Sequence, residues 1–143
     1  MLKEQLTGKT NFVESIASWQ EAIRLGAQPL LEQGIVEESY VEAMIQNVLD
    51  NGNYIILLPQ VAMPHTRPEN GSHGIGMTFL RLAEPVMFPG DEPVSVLFTL
   101  SSDSPDGHLE LIASLGELLS DEKLYQKLFD VETEQALLDL IKE

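Results

Sequence analysis

The chain has 143 residues, 43% of them hydrophobic, and its 23 acidic against 8 basic residues give a formal charge of −15 with no cysteine present. Such acidity argues against a nucleic-acid partner, whose phosphates need clustered Lys and Arg, and the missing cysteines exclude disulfide frameworks, thiolate nucleophiles and cysteine-ligated metals. No secretory h-region opens the sequence and no apolar run approaches the roughly 20 residues that span a bilayer, so a soluble, cytoplasmic protein is expected.

In chain order, Ser18-Trp19-Gln20-Glu21 fits the S-x-x-E capping box, which satisfies first-turn amides, and Trp19, Ala22, Ile23, Leu30 and Leu31 follow at helical spacing. Gly26 and Pro29 are expected to interrupt this helix and Gln33-Gly34 to end it. Residues 37–49 read as a second helix, with Tyr40, Val41, Met44 and Val48 as its apolar stripe and Asn51-Gly52 as a left-handed exit. Next, Tyr54-Ile55-Ile56-Leu57-Leu58 has the length and composition of a strand buried on both faces; it stops at a proline and delivers Pro64-His65-Thr66-Arg67-Pro68 into a loop.

Ile75, Met77 and Phe79 then alternate with smaller residues up to Leu82, the period of a strand with one better-buried face, and Glu84-Pro85 is expected to interrupt it. Val86-Met87-Phe88 reads as a short strand or edge, Pro89-Gly90-Asp91-Glu92 as a turn, and residues 94–100 as a further strand. The polar tract 101–107 is a loop by composition. Leu111, Ile112, Leu115, Leu118 and Leu119 follow as an amphipathic helix ending near Ser120-Asp121, with two shorter helices at 122–129 and 132–142. The consistent architecture is α/β: a single domain over 1–143 with one mixed sheet of about five strands flanked by helices on both faces.

Loops leaving strand ends are where such domains place their sites. Of the three histidines, His65 stands between Pro64 and Pro68, which restrict its backbone, and an extended segment would point His65 and Arg67 to the same side. A nucleophile beside a guanidinium suits a phosphate; an ion pair with Glu69 is the alternative use of Arg67. His108 lies at the positive end of the 111–119 helix, where a neutral ring donating to a phosphate and a ring that merely fills the first turn are both physically reasonable. His73 follows the flexible Asn70-Gly71-Ser72 turn and reads as structural or solvated. No His-x-x-x-His pair, nucleophile elbow, Walker loop or G-x-G-x-x-G occurs, so no metal and no nucleotide cofactor is expected.

Val61-Ala62-Met63-Pro64-His65 resembles the active-site signature of the mannitol/fructose-type (type 2) enzyme IIA domains of the bacterial sugar phosphotransferase system. Residues 22–44 resemble that family's N-terminal helices, and His108-Leu109-Glu110-Leu111-Ile112 its later His-Leu helix start. Asn51-Gly52-Asn53-Tyr54 and Pro64-His65-Thr66-Arg67-Pro68-Glu69-Asn70-Gly71 look most like the ascorbate-type branch. The resemblance implies a phosphoryl carrier in which His65 accepts the group from phospho-HPr and passes it to a cysteine of enzyme IIB, serving uptake of ascorbate or a pentose or pentitol through the membrane enzyme IIC. It also implies that His108 stabilises the phosphorylated histidine. A regulatory domain of the same fold, read by a protein partner, is the alternative, and a homodimer stays open. Where the family usually carries an Arg before the central strand, this chain has Gln46-Asn47, and Arg67 is the candidate for part of that Arg's role.

Overall fold

The computed structural model describes every residue except Pro105, Gly107 and Glu143. Its elements are α1 (Leu2–Leu6), β1 (Thr10–Val13), α2 (Trp19–Glu32), α3 (Glu38–Asn51), β2 (Ile56–Leu58), β3 (Gln60–Ala62), a 3-10 turn (Pro68–Asn70), β4 (Gly76–Met77), β5 (Phe79–Phe88), β6 (Glu92–Leu97), β7 (Leu100–Ser101), α4 (Leu109–Ser120), α5 (Glu122–Lys127) and α6 (Glu134–Leu138). Five strands form a mixed sheet in the order β1-β5-β6-β3-β2, and β4 pairs with β7 in a separate ribbon. Strand pairing is parallel for β1 with β5 and β3 with β6, and antiparallel for β5 with β6 and β2 with β3.

Alternation along the strands sorts side chains into two cores, as the pleat requires. Leu80, Leu82, Val86, Phe88, Val94 and Leu97 pack with Ala22, Ile23, Leu30, Val41, Met44 and Val48 of α2 and α3 on one face. Val61, Phe79, Val96 and Phe98 pack with Leu111, Leu115, Leu118, Leu128 and Leu137 of the C-terminal helices on the other. Helices therefore flank both faces of a five-stranded mixed sheet.

Several elements differ from the sequence expectation. Tyr54 and Leu57 are 44% and 41% exposed, and only Ile55 of that run is fully buried, because β2 is an edge strand rather than a central one. The chain then reverses through Gln60, whose φ is +67°, and β3, absent from the sequence reading, is the strand that leads to His65. Glu84-Pro85 does not end β5: the strand runs on to Phe88, and the disturbance is absorbed as a shift in its register with β6 between Arg81 and Val86.

Helix α2 is likewise continuous through Gly26 and Pro29. Pro29 lies in its last turn and gives up one i→i−4 hydrogen bond, a loss offset by the burial of Ile23, Ala27 and Leu30 along the same helix, and Gly26 is a point of close approach, since a Cβ there would meet Thr99 Oγ1 at 2.8 Å. The Ser18 half of the capping box forms, its Oγ accepting from the Glu21 amide at 3.2 Å, while the Glu21 carboxylate accepts from Arg24 at 2.9 Å instead of reaching back to the Ser18 amide, and Gly52 leaves α3 at φ +78°. The strands read at 75–82 and 94–100 are each divided, into β4 and β5 and into β6 and β7. Of the loop read at 101–107, Ser101 closes β7, while Pro105 and Gly107 lie outside the described residues. α1 and β1 were not visible as patterns. Leu2 and Leu6 are nevertheless both fully buried one helical turn apart, each such burial being worth about 2 kcal/mol.

Candidate functional site

His65 leaves the end of β3 on a segment held from both sides. The Met63 amide donates to Ile55 O at 2.8 Å and the Leu100 amide to Pro64 O at 2.9 Å, so backbone bonds continue beyond β3 up to the histidine. The buried Tyr40 of α3 adds a longer-range tether, its hydroxyl donating to Leu100 O at 2.8 Å and accepting from the Thr66 amide at 3.3 Å. Burial pushes the Tyr40 phenol up to about 12, with the Thr66 backbone hydrogen bond pulling the other way and nearby Tyr54 adding to the rise.

The ring of His65 is fixed as firmly as its backbone. Nδ1 lies 2.6 Å from Met63 O, and a carbonyl only accepts, so in the neutral imidazole Nδ1 carries the hydrogen and Nε2 keeps the lone pair. Tyr54 stands edge-on to this ring, with centroids 5.6 Å apart at 80°, and donates its hydroxyl to His65 O at 3.2 Å. One protonation tautomer and one ring orientation are thereby selected, and Nε2 is the ring nitrogen left with an available lone pair.

Asn47, Tyr54, His65, Thr66, Arg67, Pro68, Glu69 and His108 line one cleft of about 520 Å³. The structure thus brings together His65, Arg67 and His108, two of them more than forty positions apart in the chain. Recesses of similar size exist elsewhere, including one of about 540 Å³ beside α2 and α3, but it carries no histidine, and chemistry rather than size singles out this cleft. The Arg67 side chain is exposed and makes neither hydrogen bond nor ion pair among the described residues, its backbone carbonyl accepting from the Asn70 amide at 3.0 Å; the pairing with Glu69 is not formed. His108 occupies the N-cap of α4, and its Nδ1 is buried without a partner among the described residues, a condition that a buried polar atom rarely keeps once its site is filled. His73 lies outside the cleft, exposed and 2.8 Å from Glu37. Among the described residues no group of three His, Asp or Glu could hold a metal ion, and no helix is long and apolar enough to cross a membrane.

A nucleophilic nitrogen, a free guanidinium and a second imidazole at a helix N-terminus around one cleft make a place for a phosphoryl group. The family described as phosphoenolpyruvate-dependent sugar phosphotransferase system, EIIA 2, matches residues 6–143. The chain belongs to this family. The mannitol-specific cryptic phosphotransferase enzyme IIA component of Escherichia coli (strain K12) is 40% identical over 130 residues, covering 90% of this chain and 88% of that one. The solution structure described under that name in E. coli superposes with a TM-score of 0.89 at 37% identity, over 98% and 97% of the two chains. The ascorbate-specific enzyme IIA component of the same strain is 35% identical over 87% of this chain and 82% of its own. A complex of mannitol enzyme IIA with phosphorylated mannitol enzyme IIB from E. coli matches at 25% identity and a TM-score of 0.76, over 92% of each chain.

Within this enzyme IIA, sequence reasoning passed over Asn47, Tyr54 and Tyr40. Asn47 carried a usable signal: Tyr40, Met44 and Asn47 fall at i, i+4 and i+7, so this polar residue ends an apolar stripe and faces what the stripe faces. Gln46, its neighbour, points away and bonds Asp50 at 2.9 Å. Tyr54 carried no such signal, because it was read as part of a buried strand.

Proposed function

We propose that this enzyme IIA is a phosphoryl carrier whose Nε2 of His65 accepts the group from phospho-HPr and passes it to a cysteine of a cognate enzyme IIB. The observation that carries this reading is the Nδ1 contact to Met63 O, which leaves Nε2 as the attacking atom at a cleft shared with Arg67 and His108. Phosphoryl transfer leaves the protein little covalent work beyond in-line positioning and charge stabilisation, and the cleft supplies both. Arg67 is available to pair with equatorial phosphoryl oxygens, and His108 to donate to one of them.

The IIB partner is supported by the solved complex of a related enzyme IIA with phosphorylated enzyme IIB. Relatives named for mannitol and for ascorbate support a sugar of the ascorbate or polyol class, a pentitol included, taken up through enzyme IIC. Incubating the purified protein with labelled phospho-HPr tests the reading. Stoichiometric label on His65 that discharges onto enzyme IIB is expected; no labelling, or robust labelling of His65→Ala at another residue, overturns it, and label that never discharges points to a regulatory role instead.

A further inference from the structure

Resting on the reading of His65 as phosphoryl acceptor, we infer that the Thr66 hydroxyl is a hydrogen-bond donor to the phosphoryl group, with Asn47 and Asn70 as the residues that position it. Asn47 Nδ2 donates to Thr66 Oγ1 at 2.7 Å, and Asn70 Nδ2 donates to the same atom at 2.9 Å. A hydroxyl has two lone pairs and one hydrogen, so two donated bonds fill its acceptor capacity. Only the hydrogen remains to be used. Among the described residues nothing accepts it, and Thr66 and Asn47 line the cleft beside His65.

The arrangement does more than tie a loop to a helix. Asn47 comes from α3 and Asn70 from the 3-10 turn, and both amides are turned so that their hydrogens meet one oxygen. Each bond accepted by a hydroxyl strengthens the bond it donates, so this O–H is polarised toward an anion. A phosphoryl oxygen on His65 is the anion that the cleft is otherwise built to receive. In the transfer, the N–P bond to the donor histidine breaks as the P–Nε2 bond to His65 forms. The bonding pair returns to the donor ring, and the Thr66 proton stays on Oγ1. Because the donor is neutral, it holds the dianion less tightly than a guanidinium at the Asn47 position would, which leaves the group easier to pass on.

The test compares wild type, Thr66→Val, Thr66→Ala, Thr66→Ser and Asn47→Ala for the fraction phosphorylated at equilibrium with phospho-HPr, with thermal melting as the check on folding. Losing a hydrogen bond to a charged group should lower the equilibrium constant by about tenfold or more in Thr66→Val and Thr66→Ala, while Thr66→Ser stays within about twofold of wild type. Asn47→Ala should weaken phosphorylation in the wild-type background and add nothing in the Thr66→Val background. A folded Thr66→Val or Thr66→Ala protein that is phosphorylated as well as wild type overturns the inference, and an Asn47→Ala effect that persists without the hydroxyl overturns the positioning role.

A second arm phosphorylates His65 chemically with phosphoramidate and follows the phosphorus resonance against pH. Removing a donor from the dianion should raise the pH at which the phosphoryl group takes up its proton, a change that a purely structural role would not produce. No shift in Thr66→Val counts against the inference. Failure of phospho-HPr to label the wild type would instead defeat the carrier reading, with the phosphoramidate arm still deciding the role of Thr66.

Discussion

His65 and His108 face the same cleft, one from the loop after β3 and the other from the start of α4, but they are held very differently. His65 is tied through Nδ1 to Met63 O, bordered by Tyr54, and carried on a segment anchored to Ile55, Leu100 and Tyr40. His108 has a buried Nδ1 with no partner among the described residues, and it is followed by Leu109, an apolar side chain 60% exposed. A nucleophile gains from being fixed before reaction, because misplacement of the attacking nitrogen is costly in rate. A stabilising group gains from forming its bond only when charge arrives, since that interaction favours the charged state selectively. On the proposed carrier reading, the two histidines follow this division.

The comparison breaks most decisively at His65. His65→Ala should abolish labelling by phospho-HPr while leaving the circular dichroism spectrum unchanged, and persistent labelling on the same protein would remove the distinction between the walls. His108→Ala should keep the fold and slow transfer by roughly tenfold to a hundredfold, the range for one hydrogen bond to a charged group, measured by rapid quench; an unchanged rate would make His108 structural only.

Tyr40 tests whether the firmness of the His65 wall is thermodynamic. Its folded pKa lies near 12 against about 10 unfolded, so between those values the unfolded chain has bound fewer protons and stability falls as pH rises. The stabilisation is fully present below pH about 10, and its loss by pH about 12 amounts to roughly 2–3 kcal/mol from two pKa units. In Tyr40→Phe, denaturation midpoints should lose about 1 kcal/mol at neutral pH, from the Leu100 O bond, and the additional alkaline loss should disappear. A variant retaining the full alkaline sensitivity would show that another group is responsible. Tyr54→Phe should matter least: it keeps the edge-on ring and removes only the bond to His65 O, so transfer should change by no more than about threefold, and a larger effect would mean that this exposed hydroxyl takes part in the reaction.

Much of this protein could be read without coordinates, because the patterns involved are local. The Ser18 cap, the Gly52 exit, the apolar stripes of α3 and α4 and the alternation of the strands each follow from a few neighbouring residues, and Pro64 beside His65 marked the loop that matters. The resemblance to type-2 enzyme IIA domains was most specific at that loop but covered essentially the whole chain, and the family match spans residues 6–143. Tertiary structure decided what depends on pairing over distance. β2 became an edge strand and β1, too short and polar to announce itself, joined the sheet only by lying parallel to β5. The tether from Tyr40 to Leu100 spans 60 positions, and the cleft draws one wall from α3, another from the β3 loop and a third from α4. Periodicity tells a side chain whether it faces inward, but which partner it meets there is set by the packing of whole elements, so Asn47 and Asn70 converge on the Thr66 hydroxyl oxygen only in the folded chain.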